Sequence, residues 1–316
     1  MSAMAPAEGD PMDPLADVPA AAEVLGLAAR ALPPADLRAQ VLAAARSTRP
    51  PGRPAVPVEV ITAPESFRRM LHDISDLVAS LTDEDATRLT VEGWTVTGLL
   101  GHLSAIEAHF GAVLGWWPEQ GPIDEEHDHL GMTRSAVAAA QASTLAEVRA
   151  AWAAIVERVA ERLASLEGRL GERVRFHGFA FSIRSLLIAR AFEVWTHTED
   201  IAKAIGRPLV ALDTARLRLM TAAAVAALPI GMLLTDREPR GRSVRIVLEG
   251  DGGGSWVQSL DLGGVPSAPE LTLVADAVEF CRVAAKRTSP NDLRCTVIGD
   301  ADLAADVLAS VAVFAA

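Results

Sequence analysis

The sequence predicts a multidomain α and α+β protein: a four-helix bundle at residues 61–238, followed by a small α+β domain at 239–316. Three observations carry that prediction. Apolar residues recur at helical spacing in four long stretches between Pro64 and Ile205. From Gly241 onward the period changes to alternation, as in Ser243-Val244-Arg245-Ile246-Val247-Leu248. Residues 1–60 share neither pattern. They open on a Pro- and Ala-rich tract and close on the proline-rich linker Ser47-Thr48-Arg49-Pro50-Pro51-Gly52-Arg53-Pro54.

The first twenty residues read as disordered, and Ala20–Arg30 and Pro34–Arg46 as short helices. Pro64 and Glu65 open the first long helix, which runs to about Leu81 with Phe67, Met70, Leu71, Ile74, Leu77 and Val78 on one stripe. Thr82–Glu92 is a polar connection. Thr95 caps a second helix from Val96 to about Leu114, closed by Trp116-Trp117-Pro118. A long loop follows. The third helix spans Thr144 to about Leu166, with Trp152, Ile155, Val156, Val159 and Leu163 facing inward. Gly168–Gly178 is a loop with a short strand at Arg173–Phe176. The fourth helix, Ser182–Ile205, stops at Gly206 and Pro208. A fifth follows at Thr214–Leu228. Beyond it come strands at Ser243–Leu248, Trp256–Leu262, Leu271–Val274 and Leu293–Ile298, and helices at Asp276–Lys286 and Ala301–Phe314.

Composition narrows the function. The chain has 316 residues, half of them hydrophobic, and alanine dominates that half, which favours closely packed helices. A formal charge of −12 argues against a phosphate-backbone binder, so no nucleic-acid partner is expected. The two cysteines, Cys281 and Cys295, form no CxxC pair, which fits a reducing cytoplasm and buried structural thiols. No basic-then-apolar leader is present, and no signal peptide is expected. The apolar run Leu219–Leu234 is interrupted by Pro229 and Gly231 and reads as a buried helix, with no membrane partner.

The chemistry concentrates in Glu193-Val194-Trp195-Thr196-His197-Thr198-Glu199-Asp200. Glu193 and His197 are four apart on a helix, so both rise from one face. A carboxylate and an imidazole so placed can share a divalent cation. Asp200, three residues on, can orient the His197 ring from behind. A third ligand must come from elsewhere. His102 and His109 are seven apart and share one face of the second helix, so spacing does not choose between them. The stretch Asp124-Glu125-Glu126-His127-Asp128-His129 is a second cluster of donor types; it reads as a solvated loop or the start of a short helix, without a rigid element to hold ligands. His177 reads as a loop histidine with an alternative as a substrate contact. Gly252-Gly253-Gly254 lacks the Lys-Ser/Thr and helix of a phosphate loop.

The segment WTVTGLLGHL at residues 94–103, followed about ninety residues later by FEVWTHTED, resembles the paired signature of the mycothiol-dependent maleylpyruvate isomerase family. That family belongs to the wider DinB-like metalloproteins. The tract LTLVADAVEFCRVAAKR…LRCTVIGDADLA resembles the family's small, sterol-carrier-protein-like C-terminal domain. The two resemblances cover roughly residues 61–316.

The resemblance implies a DinB-like four-helix bundle whose metal ligands are His102, Glu193 and His197. It implies zinc in that site, with a position open for a thiol or water. It also implies mycothiol as thiol cosubstrate and a small-molecule electrophile as substrate, in an isomerisation or a thiol transfer. Arg287 matches a recurrent family arginine and becomes the candidate contact for a substrate carboxylate; otherwise it is a helix-end charge. Arg190, one turn before Glu193, is a second such candidate, or faces water. The piece LPPADLRAQVLAAAR resembles a helical segment of anti-sigma factors. It raises an alternative: a regulatory protein that senses a metal or thiol without turnover, with a protein partner on the N-terminal extension.

Overall fold

The computed structural model describes residues 59–117, 129–176, 179–209, 211–237, 239 and 241–312. The N-terminal extension and the acidic stretch Asp124–Asp128 lie outside the described residues, as does His177. From Val60 onward the chain clusters into one compact unit.

Four long helices close a ring. They are α1 (Ala63–Ala79), α3 (Val96–Val113), α5 (Leu145–Leu163) and α6 (Ile183–Ala204), with the short α2 (Asp83–Ala86) between the first two. α1 packs on α6, α6 on α3, α3 on α5, and α5 back on α1. These are the four helices the apolar spacing predicts, and their starts have a common cause. Thr62, Thr95, Thr144 and Ser182 each accept a hydrogen bond from the backbone N–H three residues on, satisfying an amide the helix cannot. At α5 the cap is reciprocal, since Glu147 accepts from the Thr144 amide at 2.8 Å. The core is the inward stripe of each helix. Phe67 and Phe110 meet edge to face at 5.6 Å, and Trp152 is buried with its indole N–H donating to Ser75.

The longest helix that departs from the sequence reading packs on α3. α4 (His129–Ala142) occupies much of what reads as a long loop, and it packs along α3. Two glycines make room for it. A Cβ at Gly101 would lie 2.5 Å from the Ala140 Cβ and 2.7 Å from the Ala136 carbonyl oxygen, and one at Gly98 would meet Gln141 at 2.8 Å.

A hairpin of β1 (Arg173–Phe176) and β2 (Phe179–Ser182) leads into α6. Beyond it, α7 (Thr214–Ala226) and α8 (Leu228–Leu234) replace the single apolar helix expected there, with a 43° bend between them. Among the described residues no single helix is long and apolar enough to cross a membrane; this bent pair meets the test only by length and composition.

The last part is a four-stranded mixed sheet in the order β4–β3–β5–β6, from β3 (Ser243–Glu249), β4 (Gly254–Ser259), β5 (Leu271–Asp276) and β6 (Cys295–Gly299). β3 runs antiparallel to β4 and parallel to β5, and β5 antiparallel to β6. Val244, Ile246 and Leu248 share a buried face with Leu271, Leu273 and Ala275, as period-two strands with one covered face must. α9 (Ala277–Ala284) and α10 (Ala301–Val311) pack on the sheet, and α9 also packs on α7. The chain is thus mixed: a helical body and a small α+β part.

Candidate metal centre

α3 and α6 bring three separated side chains together. Among the described residues, His102, Glu193 and His197 form the group of donors that could hold a metal ion, with one ligand atom from each within 4.8 Å of the others. The His102 Nε2 to Glu193 Oε1 distance is 3.4 Å. Ligands about 2.0–2.1 Å from a tetrahedral zinc lie about 3.3–3.4 Å apart along an edge, so this pair stands at the spacing a cation needs. The two imidazole rings meet edge to face with centroids 5.3 Å apart. His102 is 1% exposed and His197 7%. Two nitrogens and a carboxylate oxygen are the donor set of a zinc site that keeps a position open.

Each ring is held by its other nitrogen. His197 Nδ1 lies 3.0 Å from Asp200 Oδ2. A carboxylate there accepts the Nδ1 proton and leaves Nε2 with its lone pair. His102 Nδ1 lies 2.9 Å from Thr133 Oγ1 on α4, and the Trp94 ring stacks at a tilt 5.2 Å from the His102 ring. Burial pushes the Asp200 carboxyl up, but His197 and the guanidinium of Arg287 outweigh it and hold it below the usual aspartate range.

Arg287, expected as a substrate contact, is placed against Asp200. Its Nε donates to Asp200 Oδ1 at 2.8 Å, its Nη2 to Oδ2 at 2.7 Å, and its Nη1 to the Ala285 carbonyl at 3.0 Å. It grips Asp200 bidentately and through it supports the His197 ring. The backbone aims it. Lys286 adopts φ 55°, and the Arg287 N–H bonds back to the Arg282 carbonyl at 2.8 Å, turning the chain at the end of α9. Next to it, Arg282 grips Glu199 with bonds of 3.0 and 2.8 Å. Two consecutive acids of α6 are therefore each taken by an arginine from α9 or its end.

Arg190 is corrected. It is 1% exposed, facing neither water nor an open cleft. Its Nη1 donates to Glu193 Oε2, and its Nη2 to Glu107 Oε1 on α3 at 2.5 Å. His109 is half-buried, its ring 5.1 Å from that of Phe176. Of the two histidines of α3, His102 is the one grouped with Glu193 and His197. Cys281 is fully buried and burial pushes its thiol far up, as expected of a structural cysteine, while Cys295 is half-buried.

Sequence reasoning missed Thr133 and Glu107. Thr133 lies in the stretch read as loop. Glu107 lies five residues after His102, and a charged residue in the run Ile106–Phe110 of a core helix was the available signal.

Residues 67–202 match the model of the mycothiol maleylpyruvate isomerase N-terminal domain. Two uncharacterized proteins of Mycobacterium tuberculosis, from two strains, are each 24% identical over 243 residues, 72% of this chain and 86% of theirs. The crystal structure of the mycothiol-dependent maleylpyruvate isomerase superposes with a TM-score of 0.53 at 15% identity, covering 74% of this chain and 91% of that one. A mutant form of that enzyme gives 0.51 at 14% identity, with the same coverage. The matched stretch contains His102, Glu193 and His197.

Proposed function

We propose that this chain, built around a mycothiol maleylpyruvate isomerase N-terminal domain, is a metal- and mycothiol-dependent enzyme. His102, Glu193 and His197 hold a divalent cation, zinc by the donor set. The observation that carries the reading is the convergence of these three side chains, two of them rings held in orientation by Thr133 and Asp200. A bound cation supplies the chemistry of lowering a thiol pKa until thiolate forms near neutral pH. His102, Glu193 and His197 would supply three donors, and a thiol would take a remaining position. The reaction class is attack of that sulfur on an electrophilic carbon: in an isomerase, addition across a double bond, rotation and re-elimination of the thiol; in a thiol S-transferase, formation of the C–S bond as a leaving group departs.

Buried charge supports a monoanionic fourth ligand. Burial pushes the Glu107 carboxyl up and Arg190 opposes that; with all three acids ionised, Arg190 and Arg287 against Glu107, Glu193 and Asp200 leave one negative charge around the three donors. A divalent cation turns that into one positive charge, and a thiolate cancels it. Buried charge that is not cancelled is costly.

The finer domain reading belongs here too: a DinB-like bundle to about residue 238 and a sterol-carrier-protein-like part after it, in a cytoplasmic protein. The test is metal analysis of full-length protein purified without added metal, beside His197→Ala, followed by a turnover screen with mycothiol and a bimane-type electrophile. About one equivalent of metal in the parent and a large loss in the variant are expected. Equal metal content in the two, or none in the parent, contradicts the reading.

A further inference from the structure

Between α3 and α6, beneath the three donors, lies an ion pair that donor chemistry alone does not require. Arg190 and Glu107 are 1% and 0% exposed. Burying such a pair gives little net stability, because desolvation offsets the attraction, and apolar residues of similar volume serve as well. This pair is also incompletely satisfied. Glu107 Oε2 and Arg190 Nε are buried without a hydrogen-bond partner among the described residues, which leaves their desolvation uncompensated. A tie between two helices does not account for that arrangement.

The second carboxylate does account for it. The same guanidinium that meets Glu107 also donates through Nη1 to Glu193 Oε2. Glu193 Oε1 then faces His102 Nε2 at 3.4 Å. Glu107 stands on the helix of one imidazole and Arg190 on the helix of Glu193 and the other. The fork therefore fixes the Glu193 carboxylate in rotation and links the two ligand-bearing helices at that depth. An arginine is needed for this, because its planar fork spans two carboxylates where a lysine ammonium acts as a point charge.

We infer that Arg190, anchored by Glu107, is a positioning residue that holds Glu193 by one oxygen so that the other is presented to the cation. The inference rests on the metal-site reading above and adds to it a role for two residues outside the donor set. It implies that Arg190 and Glu107 act on how tightly and with what geometry the metal is held, apart from how stable the bundle is.

The test uses the full-length protein, metal-stripped and reloaded with zinc or cobalt(II). Zinc affinity is read by chelator competition, coordination by cobalt(II) visible absorption, and folding by thermal unfolding. The variants are Arg190→Lys and the double change Glu107→Leu with Arg190→Met, which replaces the buried pair by apolar groups so that neither partner is stranded. Expected is a folded double variant that binds zinc about 10–100-fold more weakly, with altered cobalt band intensities. Arg190→Lys should lose affinity in the same direction although it keeps the charge. Parent-like affinity and spectrum in either folded variant overturn the inference while leaving the metal reading intact. Failure of the parent itself to bind zinc overturns both.

Discussion

His102 and His197 are each oriented by a different partner, and the two should differ in consequence. His197 Nδ1 meets a carboxylate that Arg287 already grips; His102 Nδ1 meets a neutral hydroxyl on α4. Replacing a partner of this kind weakens metal binding about 10–100-fold. The charged partner is expected at the upper end, so Asp200→Asn should lose more zinc affinity than Thr133→Val, as measured by chelator competition. Thr133→Val also removes a buried hydrogen bond, which contributes about 1 kcal/mol. Parent-like affinity in both variants would mean that packing alone sets the rings. The spacing of Glu193, His197 and Asp200 made half of this site legible in the sequence, because positions three and four apart on a helix must share a face. His102 came through its resemblance to a known signature. Thr133 was not legible, being 31 residues from the ring it holds, and an arginine in one sequence does not reveal which carboxylate it meets.

At the scale of elements, the α3–α4 contact is the part the sequence hid. α4 reads as loop because Ser135-Ala136-Val137-Ala138-Ala139-Ala140 has no strong apolar stripe. Its presence is written in the partner helix instead. Gly98 and Gly101 sit in the interior of α3, where glycine weakens a helix by about 1 kcal/mol relative to alanine, and both face α4 side chains or backbone at distances no Cβ tolerates. Small residues on both helices permit the approach that sets Thr133 against His102. Gly101→Ala should therefore destabilise the protein by about 1–3 kcal/mol through overpacking, since one of its contacts is backbone and cannot rotate away. It should weaken zinc binding as well, because α4 carries Thr133. Thermal unfolding and chelator competition check the two effects; an unchanged Tm would show that α4 shifts freely and does not brace the site. The four ring helices were more legible: each starts at a Thr or Ser cap, and the first and third carry a clear apolar stripe.

For the whole molecule, the change of period near Gly241 announced the strands of the α+β part, and the alternation in Ser243–Leu248 marked the first of them. What no period conveys is how that part engages the ligand helix. Arg282 on Glu199 and Arg287 on Asp200 are pairs 83 and 87 residues apart. Through the second, the end of α9 reaches the ring of His197, so the tail takes part in holding the site that the helical ring builds. The N-terminal sixty residues, and with them the anti-sigma resemblance, lie mostly outside the described residues. The claim on which all of this converges is that His102, Glu193 and His197 share one cation with room for sulfur. Zinc-edge X-ray absorption of the full-length protein loaded with one equivalent of metal, before and after addition of mycothiol, reads that most directly. Expected are nitrogen and oxygen neighbours at about 2.0–2.1 Å, with a sulfur neighbour at about 2.3 Å appearing once the thiol is added. A shell of oxygens alone, or a spectrum the thiol leaves unchanged, would contradict it.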